Sequence, residues 1–484
     1  PLRWTLAVVT LLASVVVLRA GWARQPRLAF WVVTALLGVT FVSRLGVPWI
    51  APRLVASDRL ARQERSYATT RALFTRRAYA VDAVAAAPAS YGLDSLGALA
   101  GRTSVWDPPA LVSAIARARR GGTVVGAVGF QGGPDSLRAV VVERPGVAAS
   151  DDELPEFTVL ELDATRAEAE GGPLAIGSVA GVLADAGQRA RVLAFPEAAG
   201  PAIVQDPDRV VVGDRIDDWG ARLAHAWARR DLGLAFSGTV DRLAAPTLVL
   251  RRDPRERVQA LVPFFSVADQ PTPAVVGDSL HWIVHFYGAS ADFPLSQRFA
   301  VAGTERAYFR HAGVGIVNAH SGAVTLVADS ATDRMTGRWV RRFASLFTPR
   351  ERLPAALAGA ITPPADGALV QAWTIARFGL RGAPAAAPPR HLTGGAGGDS
   401  TLGVSTRPVT LLPAPDPASA ASPAPARAVP AWTVVLLDAG SRVDGTLVAL
   451  GGASPRTLWL PSAAAAPRWA EVLERLRTGA QPPV

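Results

Sequence analysis

The sequence predicts an α+β extracytoplasmic domain carried on an N-terminal two-helix transmembrane hairpin. Three observations lead there. Two apolar, charge-free runs, Trp4–Leu18 and Leu28–Val42, stand at the start of the chain. Beyond them, helical and strand periodicities are mixed rather than segregated. Charge is also unevenly spread: residues 1–53 hold Arg3, Arg19, Arg24, Arg27, Arg44 and Arg53 and no acid, and the rest of the chain sets 44 Arg against 40 acids.

Composition narrows the chemistry. With 49% hydrophobic and 19% charged residues, the chain leans toward membrane attachment. There is no Cys, which excludes disulfides, thiolate metal sites and cysteine nucleophiles. All 50 basic residues are Arg, so lysine Schiff bases and P-loop lysines are excluded too. The net charge of +10 is concentrated in the first segment. No basic stripe follows it, so nucleic acid is not an expected partner.

Residues 1–53 read as the hairpin. Each run is short for a span of about 20 residues, but each can extend, to Trp22 and to Ile50, with Arg19 and Arg44 snorkelling. Trp4, Trp22 and Trp49 then fall near the interfaces. A cleaved leader is the rival; a second apolar run following at once, and a chain numbered from Pro1, favour the hairpin. The connecting RAGWARQPR is basic, which puts it in the cytoplasm and everything from about residue 54 outside.

Residues 54–380 read as one mixed α+β domain. Ser57–Tyr79 has Leu60, Glu64, Tyr67, Arg71, Phe74 and Ala78 close to one helical face. Asp107 and Pro108 open a second helix. GTVVGAVGF and RAVVVE are strands about a GGPDS turn. Asp217–Asp231 is a helix with an apolar stripe of Trp219, Leu223, Ala226 and Trp227, off which His225 falls. Asp253 as N-cap, Pro254 at the first helical position and Glu256 as capping acid start another. VGIVNAHSGAVTLVAD is a hairpin turning near Ser321-Gly322. In DRMTGRWVRRFASLF, Met335, Trp339, Phe343 and Leu346 recur at helical spacing and read as core. Residues 381–430 are a Pro/Ala/Gly-rich linker. Residues 431–484 read as a small strand unit closed by a C-terminal helix.

The densest chemistry lies in HWIVHFYGASADFPLSQ, residues 281–297. His281 and His285 invite a metal reading, but HWIVHFY is strand-like, and four strand residues span about 13 Å, too far for one ion. No G-x-S-x-G elbow is present, and Ser296 with Asp292 and the histidines is a triad by composition alone. Asp206, Asp208, Asp214, Asp217 and Asp218 cluster, but Val210 fills a ligand position and the central Gly of a calcium loop is missing. Asp151–Glu153 and GGAGGDSTLG read as loops. No catalytic, cofactor or metal site is therefore expected.

The same stretch resembles an uncharacterised family of large bacterial membrane proteins, with several transmembrane helices and a large extracytoplasmic domain. Trp282, Ile283, Val284, Tyr287, Asp292, Pro294, Ser296 and Gln297 match its pattern of Trp-Ile-Val, an aromatic region, then Asp-aromatic-Pro-aromatic-Ser-Gln. AYFRHAGVGIVNAH resembles a further segment through Tyr308 and Arg310, with His311 where Asn is usual. The chain resembles a shortened member keeping the last two helices. The family implies architecture and no catalytic residues; Trp282, Tyr287, Asp292, Pro294, Ser296, Gln297, Tyr308 and Arg310 stand as signature residues of structural character.

The expected function is a non-catalytic accessory or scaffolding subunit of a larger complex, with a photosynthetic or respiratory assembly as one such partner. Its expected place is the bacterial inner membrane, with the large domain on the periplasmic side. The bilayer would be met through residues 1–53, and membrane-protein partners through the hairpin and residues 381–430. The alternatives are an envelope enzyme with a site around residues 281–311, and a lipid or cell-wall binding module.

Overall fold

A computed structural model describes residues 2–23, 25–41, 57–87, 103–104, 106, 111–113, 115, 123–132, 137–145, 157–164, 192–198, 200–238, 240–301, 303–329, 332–380, 391–392, 401–402, 409–413, 428–438, 440–452, 455–462 and 468–479. The Asp107 cap, the GGPDS turn, residues 151–153 and most of 381–430 lie outside these. The chain divides into two compact units, residues 1–70 and 71–484.

The first unit corrects the expected transmembrane hairpin. Both N-terminal helices form, at Leu2–Trp22 and Pro26–Phe41. No helix among the described residues, however, is long and apolar enough to cross a membrane. The 16 residues of Pro26–Phe41 extend about 24 Å at the helical rise, short of a hydrocarbon core of about 30 Å. Leu2–Trp22 has Arg3 and Arg19 within it, and the charge-free run between them reaches only about 22 Å. The extension that would have lengthened the second helix falls in residues 42–50, outside the described ones.

The second unit mixes helices with mainly antiparallel sheets. Its centre is a sheet built on the long strand Ser279–Ser290, which holds the signature segment. Tyr308–Asn318 pairs along one side of it, and Val324–Ala328 continues the sheet as a hairpin closed at Gly322, whose φ is 70°. Ser266–Val267 and Thr272–Val276 share the other side.

Alternation decides what each face does. Leu280, Trp282, Val284 and Phe286 point to one face and are fully buried against Val258, Val262 and Phe265. Ile283 points to the other, with Val314, Ile316 and Val327, under Leu353, Ala360 and Ile361. Because both faces are covered, this strand reads as a nearly unbroken apolar run. Each such aliphatic or Phe side chain is worth about 1.5–3 kcal/mol when buried.

Four further sheets accompany the central one among the described residues, the smallest pairing Phe299–Val301 with Thr304–Arg306 and Thr401–Leu402. Thr123–Gly132, Leu137–Pro145 and Thr158–Asp163 form one, over Leu111 and Ile115. Ala202–Gln205, Asp214–Arg215 and Pro246–Val249 form a small second one, on which the helix Trp219–Arg229 rests. The C-terminal sheet joins Ala428–Leu437, Val443–Leu450 and Arg456–Pro461, with Ala85–Ala86 added in parallel. His391–Leu392 and Val409–Pro413 also pair with Ala428–Leu437. The helix Ala365–Phe378 covers this sheet through Ala368, Ala372 and Ile375, against Trp432, Val434 and Leu447.

The Asp253 cap follows the sequence, and the structure adds a second cap at Asp218. Asp218 accepts from Ala221 N at 2.9 Å, and Asp253 from Arg255 N at 2.7 Å, with Pro254 in the first turn. The stripes do not follow the sequence. Leu223 and Ala226 turn inward, while Trp219 and Trp227 face solvent. Met335, Trp339, Phe343 and Leu346, expected in the core, are all at least 36% exposed. Here the helix Arg334–Arg342 buries Thr336 and Gly337 instead, with Val340 half-buried against the central cluster; Gly288 on the signature strand makes room for it, since a Cβ there would sit 2.7 Å from Thr336 Oγ1.

Candidate functional site

Two polar constructions grow from the signature strand. The first depends on a β-bulge. Pairing with Tyr308–Asn318 runs in step from His281↔Asn318 to Phe286↔Gly313, then shifts so that Tyr287 faces His311. Ala312 is the extra residue. Without the shift, His311 would stand opposite Gly288, on the other face. With it, His285, Tyr287 and His311 share a face.

His285 Nδ1 then lies 2.9 Å from His311 Nε2. His311 Nδ1 lies 2.6 Å from Asp329 Oδ2. Arg350 Nη2 donates to Asp329 Oδ1 at 2.9 Å. At the far end, His285 Nε2 lies 3.1 Å from Thr362 Oγ1. Since a carboxylate only accepts, the directions follow. With both rings neutral, Thr362 O–H donates to His285, His285 N–H to His311, and His311 N–H to Asp329.

Electrostatics agree with that order. Burial, then the adjacent His311, pushes His285 down to about 3. Burial opposes the charge on Asp329, but His311 and Arg350 outweigh it and hold the carboxyl below its ordinary range. Beside the pair, Tyr287 stacks on Phe309 at 4.2 Å and meets His311 edge-on at 5.3 Å. Its phenol is raised well above the usual value by burial and then by Asp366. Asp366 itself is pushed up to about 6 by burial and then by Asp269.

A hydroxyl–imidazole–imidazole–carboxylate chain has the polarity that activates a nucleophile. Yet Thr362 and His285 are both buried. The segment around Thr362 is also enclosed from the far side. Gly452 N donates to Ile361 O at 2.8 Å, and a Cβ on Gly451 would stand 2.3 Å from that same oxygen. The chain of bonds thus fastens the 361–363 strap between the central and C-terminal sheets.

The second construction is a helix clamp. The corner after the signature strand turns through Leu295, which takes a left-handed φ of 58°. It delivers Gln297 to the C-terminal part of the helix Ser57–Ala78. Gln297 N donates to Thr75 Oγ1 at 2.9 Å, and Arg71 Nη2 donates to Gln297 Oε1 at 3.0 Å. Tyr79 hydroxyl reaches Gln297 O at 2.8 Å and Arg306 O at 2.6 Å. Arg310 Nε donates to Arg77 O at 2.6 Å and its Nη2 to Asp82 Oδ1 at 2.7 Å. Arg77 O lies in the last turn, where the backbone offers it only the long bond from Ala80 N at 3.4 Å, and a cation at that end also suits the helix dipole.

The signature residues therefore divide. Gln297 and Arg310 grip the helix. Tyr308 donates to Asp333 Oδ2 at 2.7 Å, beside the oxygen that caps the next helix. Trp282 Nε1 donates to Ala194 O at 2.7 Å. Tyr287 packs on the imidazole pair. Ser296 Oγ donates to Gln297 O at 3.1 Å and also meets the Tyr79 hydroxyl, and Pro294 lies in the exposed turn. The Asp292 carboxylate is 95% exposed, with Arg298 3.6 Å away. Ser296 and Asp292 do not meet a histidine.

The remaining motifs are also accounted for. His281 sits by Ser279 O at 3.2 Å, apart from His285. Asp206 accepts from Val210 N and Val211 N, and Asp217 pairs with Arg215 at 3.1 Å. Among the described residues, no group of three or more His, Asp or Glu side chains is placed to hold a metal ion. A surface depression of about 650 Å³ is lined by Arg251, Asp253, Arg255, Glu256 and Gln259 with Ala260 and Val267. That lining is too polar for a lipid chain.

These constructions lie largely within one matched region. Residues 211–383 match the model of an uncharacterised protein family. That family is UPF0182. The resemblance read from the signature residues is to this bacterial family. A UPF0182 protein of Rhodococcus jostii (strain RHA1) is 28% identical over 178 residues, 34% of this chain and 18% of that protein. One from Parasynechococcus marenigrum (strain WH8102) is 26% identical over 257 residues, 47% of this chain and 28% of its own. One from Mycobacterium tuberculosis (strain ATCC 25177 / H37Ra) is 28% identical over 178 residues, again 34% and 18%. The matched stretch thus spans well under a third of each of these relatives. No solved structure matches the chain.

Sequence reasoning missed Asp329, Arg350 and Thr362 entirely. The one signal pointing their way was His311, standing where the UPF0182-like pattern has Asn. Its meaning depends on the bulge at Ala312, which no local periodicity announces.

Proposed function

We propose that this chain is a non-catalytic accessory subunit that docks on a protein partner through its small-sheet module. One observation carries the reading: Trp227 is 79% exposed, Phe236 76%, Trp219 58% and Leu232 57%, all within one short stretch. Scattered apolar side chains need no explanation, but a cluster of two Trp, a Phe and a Leu marks an interaction surface. Its surroundings suit a protein. Residues 214–242 hold five Asp and five Arg, the mixed rim expected around an aromatic centre. The internal use of Trp282, Tyr287, Gln297, Tyr308 and Arg310 supports the non-catalytic half of the reading.

The test is native electrophoresis of gentle extracts from the bacterium that makes the protein. Wild type should migrate in an assembly larger than the free chain. W227D combined with F236D should shift it to the free chain without lowering its amount. Wild type migrating only as the free chain would overturn the proposal.

A further inference from the structure

A second exposed face differs from the first in charge. The helix Arg334–Arg342 begins at Asp333, whose carboxylate accepts from Thr336 N at 2.9 Å. Its inward side is Thr336, Gly337 and Val340. On the solvent side, Met335, Trp339, Phe343 and Leu346 form one stripe, 41%, 43%, 36% and 37% exposed. The stripe is rigid. The Phe264 ring stacks on Trp339 at 4.8 Å and on Phe343 at 5.0 Å, with interplanar angles of 10° and 13°.

Arginines lie along one flank of that stripe. At 100° per residue, Arg338 and Arg342 border it, and Arg334 and Arg341 follow further round. Residues 334–346 contain these four Arg and no acid. None of the four makes a hydrogen bond or ion pair among the described residues. The module carrying Trp227, by contrast, balances its charges and pairs several of them, as in Arg222–Asp241 and Arg215–Asp217.

An aromatic stripe beside a purely cationic one is the arrangement of a helix lying in a membrane interface. The rings enter the headgroup boundary and the guanidiniums meet lipid phosphates. We propose that the Arg334–Arg342 helix, with Phe264, is a docking face for an anionic lipid bilayer surface. This is independent of the protein-docking reading and concerns a different face.

The test uses the full chain and vesicles of two compositions, phosphatidylcholine alone and phosphatidylcholine with phosphatidylglycerol, in a flotation assay. Wild type should bind the phosphatidylglycerol vesicles at least tenfold more tightly, and raised salt should reduce the difference. R338E combined with R342E, both at exposed positions, should abolish the preference for anionic vesicles. W339D combined with F343D should lower affinity for those vesicles at least tenfold while the far-ultraviolet circular dichroism is retained. Equal binding of wild type to the two vesicle types would overturn the proposal. So would wild-type binding by the Arg variant, or loss of a protein partner by these variants with vesicle binding intact.

Discussion

Acid should loosen the strap through His285, and the size of the effect follows from its surroundings. In the folded chain burial pushes this imidazole down to about 3, against 6.5 for the unfolded chain. A group with a depressed folded pKa contributes stability that is present above the unfolded value and lost as pH falls toward the folded one. The window is therefore pH 6.5 down to about 3. Between pH 8 and pH 5 the linkage integral gives a loss of about 2 kcal/mol. Asp366 works in the opposite sense. Its carboxyl is raised from 3.8 to about 6, so it favours the folded state as pH falls, by about 1.4 kcal/mol over the same interval. The net loss in wild type is then under about 1 kcal/mol, and the His285 effect is partly hidden. His281, also lowered chiefly by burial, adds to the loss.

D366N removes the offset. Urea titrations of the D366N chain at pH 8 and pH 5, followed by tryptophan fluorescence, should show the full loss of about 2 kcal/mol. Trp282 is a fitting reporter, being buried three residues from His285. Adding H285Q, which retains amide hydrogen bonding but cannot titrate, should flatten the difference. Equal stability of the D366N chain at the two pH values would refute the assignment of His285 as a buried neutral imidazole.

Two further substitutions probe how the fold holds its site. R310A leaves Arg77 O and Asp82 without their cation and should cost about 1–3 kcal/mol, read as faster amide exchange across Thr75–Tyr79. Protection unchanged there would mean that the clamp contributes nothing. G313A places a Cβ 2.3 Å from Val327 O and 2.6 Å from Phe286 Cζ. It should lower stability by about 1–3 kcal/mol in a thermal melt, and a neutral melt would show that the hairpin yields freely there.

Much of the framework was legible because it rests on short-range rules. Asp253 marks its helix start because a side-chain oxygen must satisfy a free N–H within the next turn, and Pro254 does so because its fixed φ suits the first helical position. The strand character of HWIVHFY, the separation of His281 from His285 and the hairpin at Ser321-Gly322 follow from backbone periodicity in the same way. The UPF0182-like signature was also visible in residue order alone. Apolar content, by contrast, proved insufficient to decide a membrane span. Trp4–Leu18 and Pro26–Phe41 are apolar enough to suggest one, but crossing depends on helix length as well as apolarity, and no helix among the described residues is both long and apolar enough.

Everything that makes the candidate sites specific is long-range. Whether Met335, Trp339 and Phe343 face the core or the solvent depends on which side of their helix meets the sheet. The fit of Thr336 over Gly288 and the packing of Val340 on the central cluster settle that. Gln297 and Arg310 look like any polar residues until the fold brings them to a helix more than 200 positions earlier, where Gln297 N meets the Thr75 hydroxyl and Arg310 the Arg77 carbonyl. His311 joins His285 only because one extra residue, Ala312, turns it to the other face. Asp329, Arg350 and Thr362 then complete a hydrogen-bonded chain from three separate elements. Sequence by itself determined the local elements, since capping and periodicity act within a turn or two. Tertiary structure alone decided which polar groups are buried together, since an unpaired polar atom in the interior costs enough to select the partner across the fold.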